Sequence, residues 1–320
     1  MEQHKTVSVV VSTFRRDAML ARALESLAAQ TSKDFDIVVV DDNANPEWNT
    51  RVETVIRAFR TRHPDIALSY LPNSDNLGSA EARNRGIRQA KGEYITFLDD
   101  DDLYLPEKIE NQLEYMRRDG IDYCVADMAL YYENEVLSEK RVRRGIEKMG
   151  QEELFRYHFM HHITGTDTMM FRRDYLEKIG GFPPIDVGDE FYLIHRAIDG
   201  GGKFGYLHSC DVKAYVHTGD GGLSSGQGKL DGENQLYQYK KQFFHRFDIR
   251  SIRFIRMRHY AVLAFAGLRK KAYGFFMINS LLCFLSAPLQ CICFLRSRCG
   301  DSSEDGLQMD VQTLSKPVKQ

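Results

Sequence analysis

Four consecutive carboxylates, Asp99, Asp100, Asp101 and Asp102, follow directly on the apolar run Tyr94 to Leu98. Side-by-side carboxylates repel one another unless a cation lies among them, so the tract predicts a bound positive charge. Hard oxygen ligands at the end of a buried strand suit Mg2+ or Mn2+, ions that keep some waters and bind a ligand's phosphates. The plainer reading is a solvated turn that opens a helix, because Asp is a good N-cap and Pro106 suits a first helical turn. An EF-hand loop is excluded. Asp99, Asp101 and Glu110 fall at its first, third and twelfth positions, but Leu103 and Tyr104 stand where an oxygen ligand and a glycine are needed.

The elements around this tract predict how it is held. Val7 to Ser12 and Ile37 to Val40 are β-branched apolar runs, the pattern of parallel strands buried on both faces. Ala18 to Gln30 carries helical spacing between them, giving a strand–helix–strand unit. The alternation repeats through a helix near Asn49 to Arg62, a strand at Ala67 to Leu71, a helix near Ser79 to Ala90 and the strand Tyr94 to Leu98. This predicts a doubly wound α/β half, whose ligands bind at the carboxyl ends of the strands. A helix Glu107 to Arg118 and a strand Tyr123 to Ala126 follow. The charged stretch Tyr131 to Gly150 is expected as a mobile excursion or a hairpin. Order returns with Met169 to Phe171, a helix Arg173 to Ile179 stopped by Gly180-Gly181, a helix Glu190 to Ile198 and a strand Lys213 to Val216. The glycine-rich run Thr218 to Gly228 then suggests a flexible lid.

Length and composition agree with an α/β catalytic domain carrying an appendage. With 320 residues, 43% of them hydrophobic, the chain can bury a sizeable core. The net charge of −2 hides acidic residues near 99–110 and basic ones over 250–271. The six cysteines form no CxxC pair, which argues against a zinc site or a disulfide framework. The opening MEQHKTVSVVVSTF does not read as a secretory signal, so the expected setting is the reducing cytosol. The predicted organisation is a catalytic domain over 1–230, amphipathic and hydrophobic helices over 231–299 and a disordered polar tail over 300–320. Arginines and lysines alternate with aromatic and aliphatic residues from Arg250 to Lys271, which suits a helix on an anionic membrane surface. No nucleic-acid module accompanies this basic patch, so nucleic acid is not an expected partner. Phe275 to Leu295 has no charge over 21 residues. Its Asn, Ser, Pro and Gln residues favour interfacial or re-entrant helices, with a transmembrane span or packing onto the catalytic domain as alternatives.

Five segments, VSVVVSTFRR, DFDIVVVDDNA, NLGSAEARNRGI, GEYITFLDDDDLYLPEKI and VGDEFYLIHRAI, resemble in order and spacing the family 2 glycosyltransferases of the GT-A fold, over about residues 6–220. The resemblance implies a Rossmann-like fold with a mixed central sheet. It also implies an inverting transferase that holds a nucleotide sugar, with UDP as the expected nucleotide, through a divalent ion, Mn2+ or Mg2+. Thr13 and Phe14 would border the nucleoside, with Phe14 stacked on the base, and Asp42 would accept a hydrogen bond from a base N–H. Arg83, beyond Asn76-Leu77-Gly78, would pair with the acidic tract or the diphosphate. Asp99 and Asp101 would be the outer carboxylates of the Asp-x-Asp motif, with Asp100 near the ribose and Asp101 the principal metal ligand. Asp189-Glu190 would supply the base. Glu190 takes that role if Leu193 and Arg196 set the register, Asp189 if Gly188-Asp189 does, and Glu190 is preferred. His217 would complete the metal shell or touch the pyrophosphate. The expected setting is the cytosolic face of a bacterial membrane, with a lipid-linked or growing glycan as acceptor. A nucleotidyltransferase would show glycine in STFRRDA, where there is none. A catalytically silent scaffold fits poorly with intact Asp101 and Glu190.

Overall fold

The computed structural model describes residues 5–185, 187–216 and 226–292. His217, most of the glycine-rich run and the tail 300–320 therefore lie outside the described residues. The chain divides into two compact units, Met1–Gly232 and Glu233–Gln320.

In the first unit the strands are β1 (Val7–Thr13), β2 (Phe35–Asp41), β3 (Leu68–Pro72), β4 (Tyr94–Asp99), β5 (Leu103–Tyr104), β6 (Tyr123–Ala126), β7 (Met128–Tyr132), β8 (Leu137–Arg141), β9 (Met170–Arg172), β10 (Phe204–Leu207) and β11 (Val212–Val216). Seven form one sheet in the order β10-β6-β9-β4-β1-β2-β3. β1 runs parallel to β2 and β4, whereas β9 runs antiparallel to β4 and β6, so the sheet is mixed. Six strands thus point their carboxyl ends to one edge. The chain winds outward from β1 through β2 to β3, then crosses to β4 on the other side of β1. That crossover makes the gap between β1 and β4 the topological switch point, where open α/β sheets bind ligands.

Local chemistry sets the elements. β1, β2 and β4 are apolar at nearly every position because helices cover both faces of the sheet, and they are buried throughout most of their length. The helix Pro46–Arg62 begins earlier than its periodicity suggests. The Asn45 side chain accepts from Glu47 N and Trp48 N, and Pro46 occupies the first turn. The helix Ser79–Gln89 lies on β1 through Gly86, where a Cβ would come within 2.3 Å of Val10 Cγ1. This close approach fixes the height of that helix above the sheet.

A second sheet has the order β5-β11-β7-β8. The stretch expected to be mobile or a hairpin is a hairpin: β7 pairs antiparallel with β8, with a register shift at Leu130/Tyr131. β11 joins it in parallel and also pairs with β5. The helix Gln151–His161 and strand β10 have no counterpart in the sequence reading; the helix shows little separation of apolar and polar faces, and β10 is only 4 residues long and contains Gly205.

In the second unit, the helix Ile249–Arg269 starts at Asp248, whose side chain accepts from Ser251 N, and a helix Tyr273–Ser286 follows. No described helix is long and apolar enough to cross a membrane, which removes the spanning alternative for the described part of 275–295.

Val10 is β-branched and buried, so it cannot turn away from a methyl group placed at residue 86. Gly86→Ala is expected to lower unfolding free energy by about 1–3 kcal/mol in urea titration. An unchanged midpoint would contradict this packing.

Candidate active site

The four carboxylates leave β4 at the switch point and meet the end of β1. Asp100 is buried and accepts from Phe14 N at 3.2 Å and from Arg16 NH1 at 3.0 Å. The same Arg16 nitrogen contacts Asp101 Oδ2 at 2.5 Å. Burial and the charge of Asp101 raise the Asp100 carboxyl to about 6, against the pull of Arg16. Asp102 accepts from Tyr215 N at 2.8 Å, tying the tract to β11 of the second sheet.

A carboxylate that the sequence reading missed completes the cluster. Asp167, in the short turn Thr166–Thr168 ahead of β9, accepts from Asp99 N at 2.6 Å and is buried. Asp99, Asp102 and Asp167 each bring one oxygen within 4.8 Å of the others. Asp102 and Asp167 also hydrogen-bond carboxyl to carboxyl. Burial and the charge of Asp167 hold Asp102 well above the carboxylate range, and burial with the charge of Asp99 raises Asp167 to about 7. Such a pair shares a proton until a cation replaces it. Three converging hard oxygens fit Mg2+ or Mn2+. Asp101, expected as the principal ligand, is turned to Arg16 and stands outside this trio.

Arg83 links the cluster to the second acidic pair. Buried in the helix Ser79–Gln89, it donates to Asp99 Oδ1 at 2.6 Å and to Asp189 Oδ2 at 2.7 Å, with Phe182 against its guanidinium at 5.4 Å. Arg83 thus pairs with the acidic tract, one of its two expected partners. Asp189 opens the helix Asp189–Asp199, accepts from Glu190 N at 2.9 Å and faces Ser79 Oγ at 3.4 Å. Glu190 stays partly open to solvent. Loss of hydration around the carboxyl, then the charge of Asp189, raises it to about 8.

The residues expected to border a nucleoside lie at the ends of β1 and β2. Phe14 is 43% exposed, while Thr13 is buried beside the Asp100 carboxyl, which its side chain helps to hold in the charged form. Asp42 does structural service in this arrangement. Its oxygens accept from Asn73 Nδ2 at 2.6 Å, Leu77 N at 2.8 Å and Gly78 N at 2.9 Å, which shapes the loop before Arg83's helix. Gly78, at φ 81°, lets that loop turn into the helix.

The profile of Glycosyl transferase family 2 matches residues 8–180, more than half of the chain. The chain belongs to this family and is a glycosyltransferase. The match ends before Asp189. An uncharacterized glycosyltransferase, MJ1057 of Methanocaldococcus jannaschii, is 30% identical over 236 residues, covering 73% of this chain and 77% of that one. The GalNAc(5)-diNAcBac-PP-undecaprenol beta-1,3-glucosyltransferase of Campylobacter jejuni is 29% identical over 174 residues, 54% of this chain. The aligned part is about half of that relative, 53% of its length. Among solved structures, S. aureus TarS 1-349 in complex with UDP-GlcNAc matches 86% of this chain and 89% of its own, at TM-score 0.54 and 17% identity. Mannosyltransferase PcManGT from Pyrobaculum calidifontis, with GDP-Man and Mn2+, matches 91% and 88% at TM-score 0.54 and 17% identity. Those two likenesses establish the shared GT-A fold.

Removing Arg83 from this glycosyltransferase leaves Asp99 and Asp189 without their common counter-charge. Arg83→Met is expected to lower stability by about 3 kcal/mol in urea titration, and a loss under ~1 kcal/mol would contradict the bridge. Glu190 gives a pH signature. Between the usual 4.5 and about 8 the folded state keeps a proton that the unfolded chain has lost, so stability falls as pH rises through that window. Glu190→Gln in EDTA should flatten the decline in urea midpoint between pH 5 and 8; a variant with the wild-type slope would exclude Glu190 as its source.

Proposed function

We propose that this enzyme is an inverting transferase that moves a sugar from a nucleotide diphosphate donor, with UDP as the nucleotide, to a glycan or lipid-linked acceptor. The supporting observation is that one guanidinium, Arg83, joins the acidic cluster at the switch point to the Asp189-Glu190 pair. Donor-binding and acceptor-activating groups are thereby held side by side. The donor class is supported by the UDP-GlcNAc and GDP-Man carried by the two structural neighbours. A lipid-linked acceptor is supported by the undecaprenol-linked substrate in the Campylobacter relative's name, and it would place the enzyme on the cytoplasmic face of a membrane.

In this reading Phe14 stacks on the base, Thr13 borders the nucleoside, and Asp100 orders the β1 end. Asp42 holds the loop that brings Arg83 into place and keeps lone pairs for a base N–H. Asp99 would hold the divalent ion with Asp102 and Asp167, or with Asp101 once Arg16 releases it; His217 is a further candidate. When bound, the ion stabilises negative charge developing on the departing diphosphate. Glu190 takes the proton of the acceptor hydroxyl as its oxygen bonds to the anomeric carbon and the carbon–phosphate oxygen bond breaks, which inverts the centre. A carboxyl raised to about 8 is a stronger base once ionised, so transfer is expected to rise as pH approaches that value. Asp189 keeps Arg83 and the helix start in place.

The test is hydrolysis of UDP-sugars and transfer to a lipid-linked saccharide, with and without Mn2+. Glu190→Gln is expected to lower kcat about 10²–10⁴-fold while leaving UDP affinity near wild type. Asp101→Ala and Asp167→Asn separate the two ligand sets by which one abolishes the Mn2+ response. Absence of turnover with every nucleotide sugar, together with no thermal shift by UDP and Mn2+, would favour a silent scaffold instead.

A further inference from the structure

The second unit carries a surface that the transfer reaction does not use. Asn279 and Cys283 form the buried side of the helix Tyr273–Ser286, while Met277, Ile278, Leu281 and Leu285 on its other side are between 58% and 64% exposed. Leu289, in the helical residues 288–292 that follow, is 79% exposed. An unpartnered apolar face of this size is costly in water. Two polar side chains of the helix are already satisfied by its own backbone: Asn279 Nδ2 donates to Phe275 O at 2.8 Å and Ser286 Oγ to Leu282 O at 2.7 Å. They would therefore add little cost on leaving water.

Charge identifies what covers the face. The turn before the helix exposes Arg269, Lys270 and Lys271. There is no Asp or Glu between Asp248 and Asp301, so this stretch offers only positive charge to a partner. The turn is tight, with Gly267 so close to the next helix that a Cβ would lie 3.1 Å from Phe276 N. The cations are thus held at one end of the apolar face. Fourteen helical residues span about 21 Å, less than the ~30 Å hydrocarbon core, so the helix can lie in a bilayer surface but not cross it.

We propose that the helical hairpin Ile249–Ser286 is an in-plane anchor for an anionic lipid bilayer. Met277, Ile278, Leu281 and Leu285 enter the acyl boundary, and Arg269, Lys270 and Lys271 meet lipid phosphates. This goes beyond the sugar-transfer reading and does not depend on it.

The full chain is tested by flotation with vesicles of phosphatidylcholine alone and of phosphatidylcholine with phosphatidylglycerol. Wild type is expected to prefer the anionic vesicles. L281E/L285E should weaken partitioning about 100-fold, at roughly tenfold for each inserted leucine. R269E/K270E/K271E should weaken binding to anionic vesicles by about fivefold per residue and leave the residual binding to neutral ones in place. Circular dichroism confirms that both variants fold, and light scattering without lipid reports their mass. The proposal is overturned if L281E/L285E floats like wild type, if vesicle charge has no effect, or if that pair turns a dimer into a monomer while flotation persists. Since flotation needs no turnover, an enzyme inactive on every donor would leave this result readable.

Discussion

Negative charge crowded into a poorly hydrated corner is the constraint on which the catalytic unit depends. Asp99 to Asp102, Asp167 and the Asp189-Glu190 pair meet at the carboxyl ends of β1 and β4, and most of them are buried. Left alone they would repel strongly. The described structure answers in three ways: Arg83 bridges Asp99 and Asp189, Arg16 takes Asp100 and Asp101, and Asp102 shares a proton with Asp167. Only the third can be exchanged for a metal without dismantling an ion pair. The Asp102–Asp167 pair, with its shared proton, is therefore the part of the cluster best suited to the proposed ion.

The rest of the unit can be understood as what keeps those charges at their stations. Arg83 reaches both partners because its helix lies close on β1, which the missing side chain of Gly86 permits. The same helix begins where it does because the Asp42 carboxylate gathers Leu77 N, Gly78 N and Asn73 into one turn. Beneath the cluster, buried Lys108 donates to Tyr104 OH at 2.8 Å and to Thr96 Oγ1, and burial lowers its pKa to about 7. A lysine lowered to this range carries only about half of its positive charge at neutral pH.

Sequence exposes what is local and hides what is brought together by pairing. β1, β2 and β4 were legible because strands covered on both faces must be apolar at successive positions, and Asp99 to Asp102 stands out at the end of one of them. Asp167 carries no such signal. It is a single aspartate in the stretch Ile163 to Phe171, and it reaches the cluster only because β9 inserts antiparallel between β4 and β6. Arg16 looks like any surface arginine until the end of β1 is placed beside the end of β4. Asp42 stands out in the sequence at the end of a strand, but its hydrogen bonds to the Asn73–Gly78 loop depend on a turn that no periodicity announces.

The choice between Asp189 and Glu190 shows how geometry divides two neighbours that sequence leaves alike. Both start the same helix, where the macrodipole favours negative charge. Asp189 has one oxygen on Glu190 N and the other on Arg83, so protonating it would break the bridge that holds Arg83 between two carboxylates. Glu190 has no share in that bridge and keeps contact with solvent, and its neighbour's charge strengthens it as a base. A group that must gain and lose a proton in each turnover belongs where that change disturbs nothing structural. By that argument Asp189 belongs to the bridge, and Glu190 is the member of the pair proposed as the base.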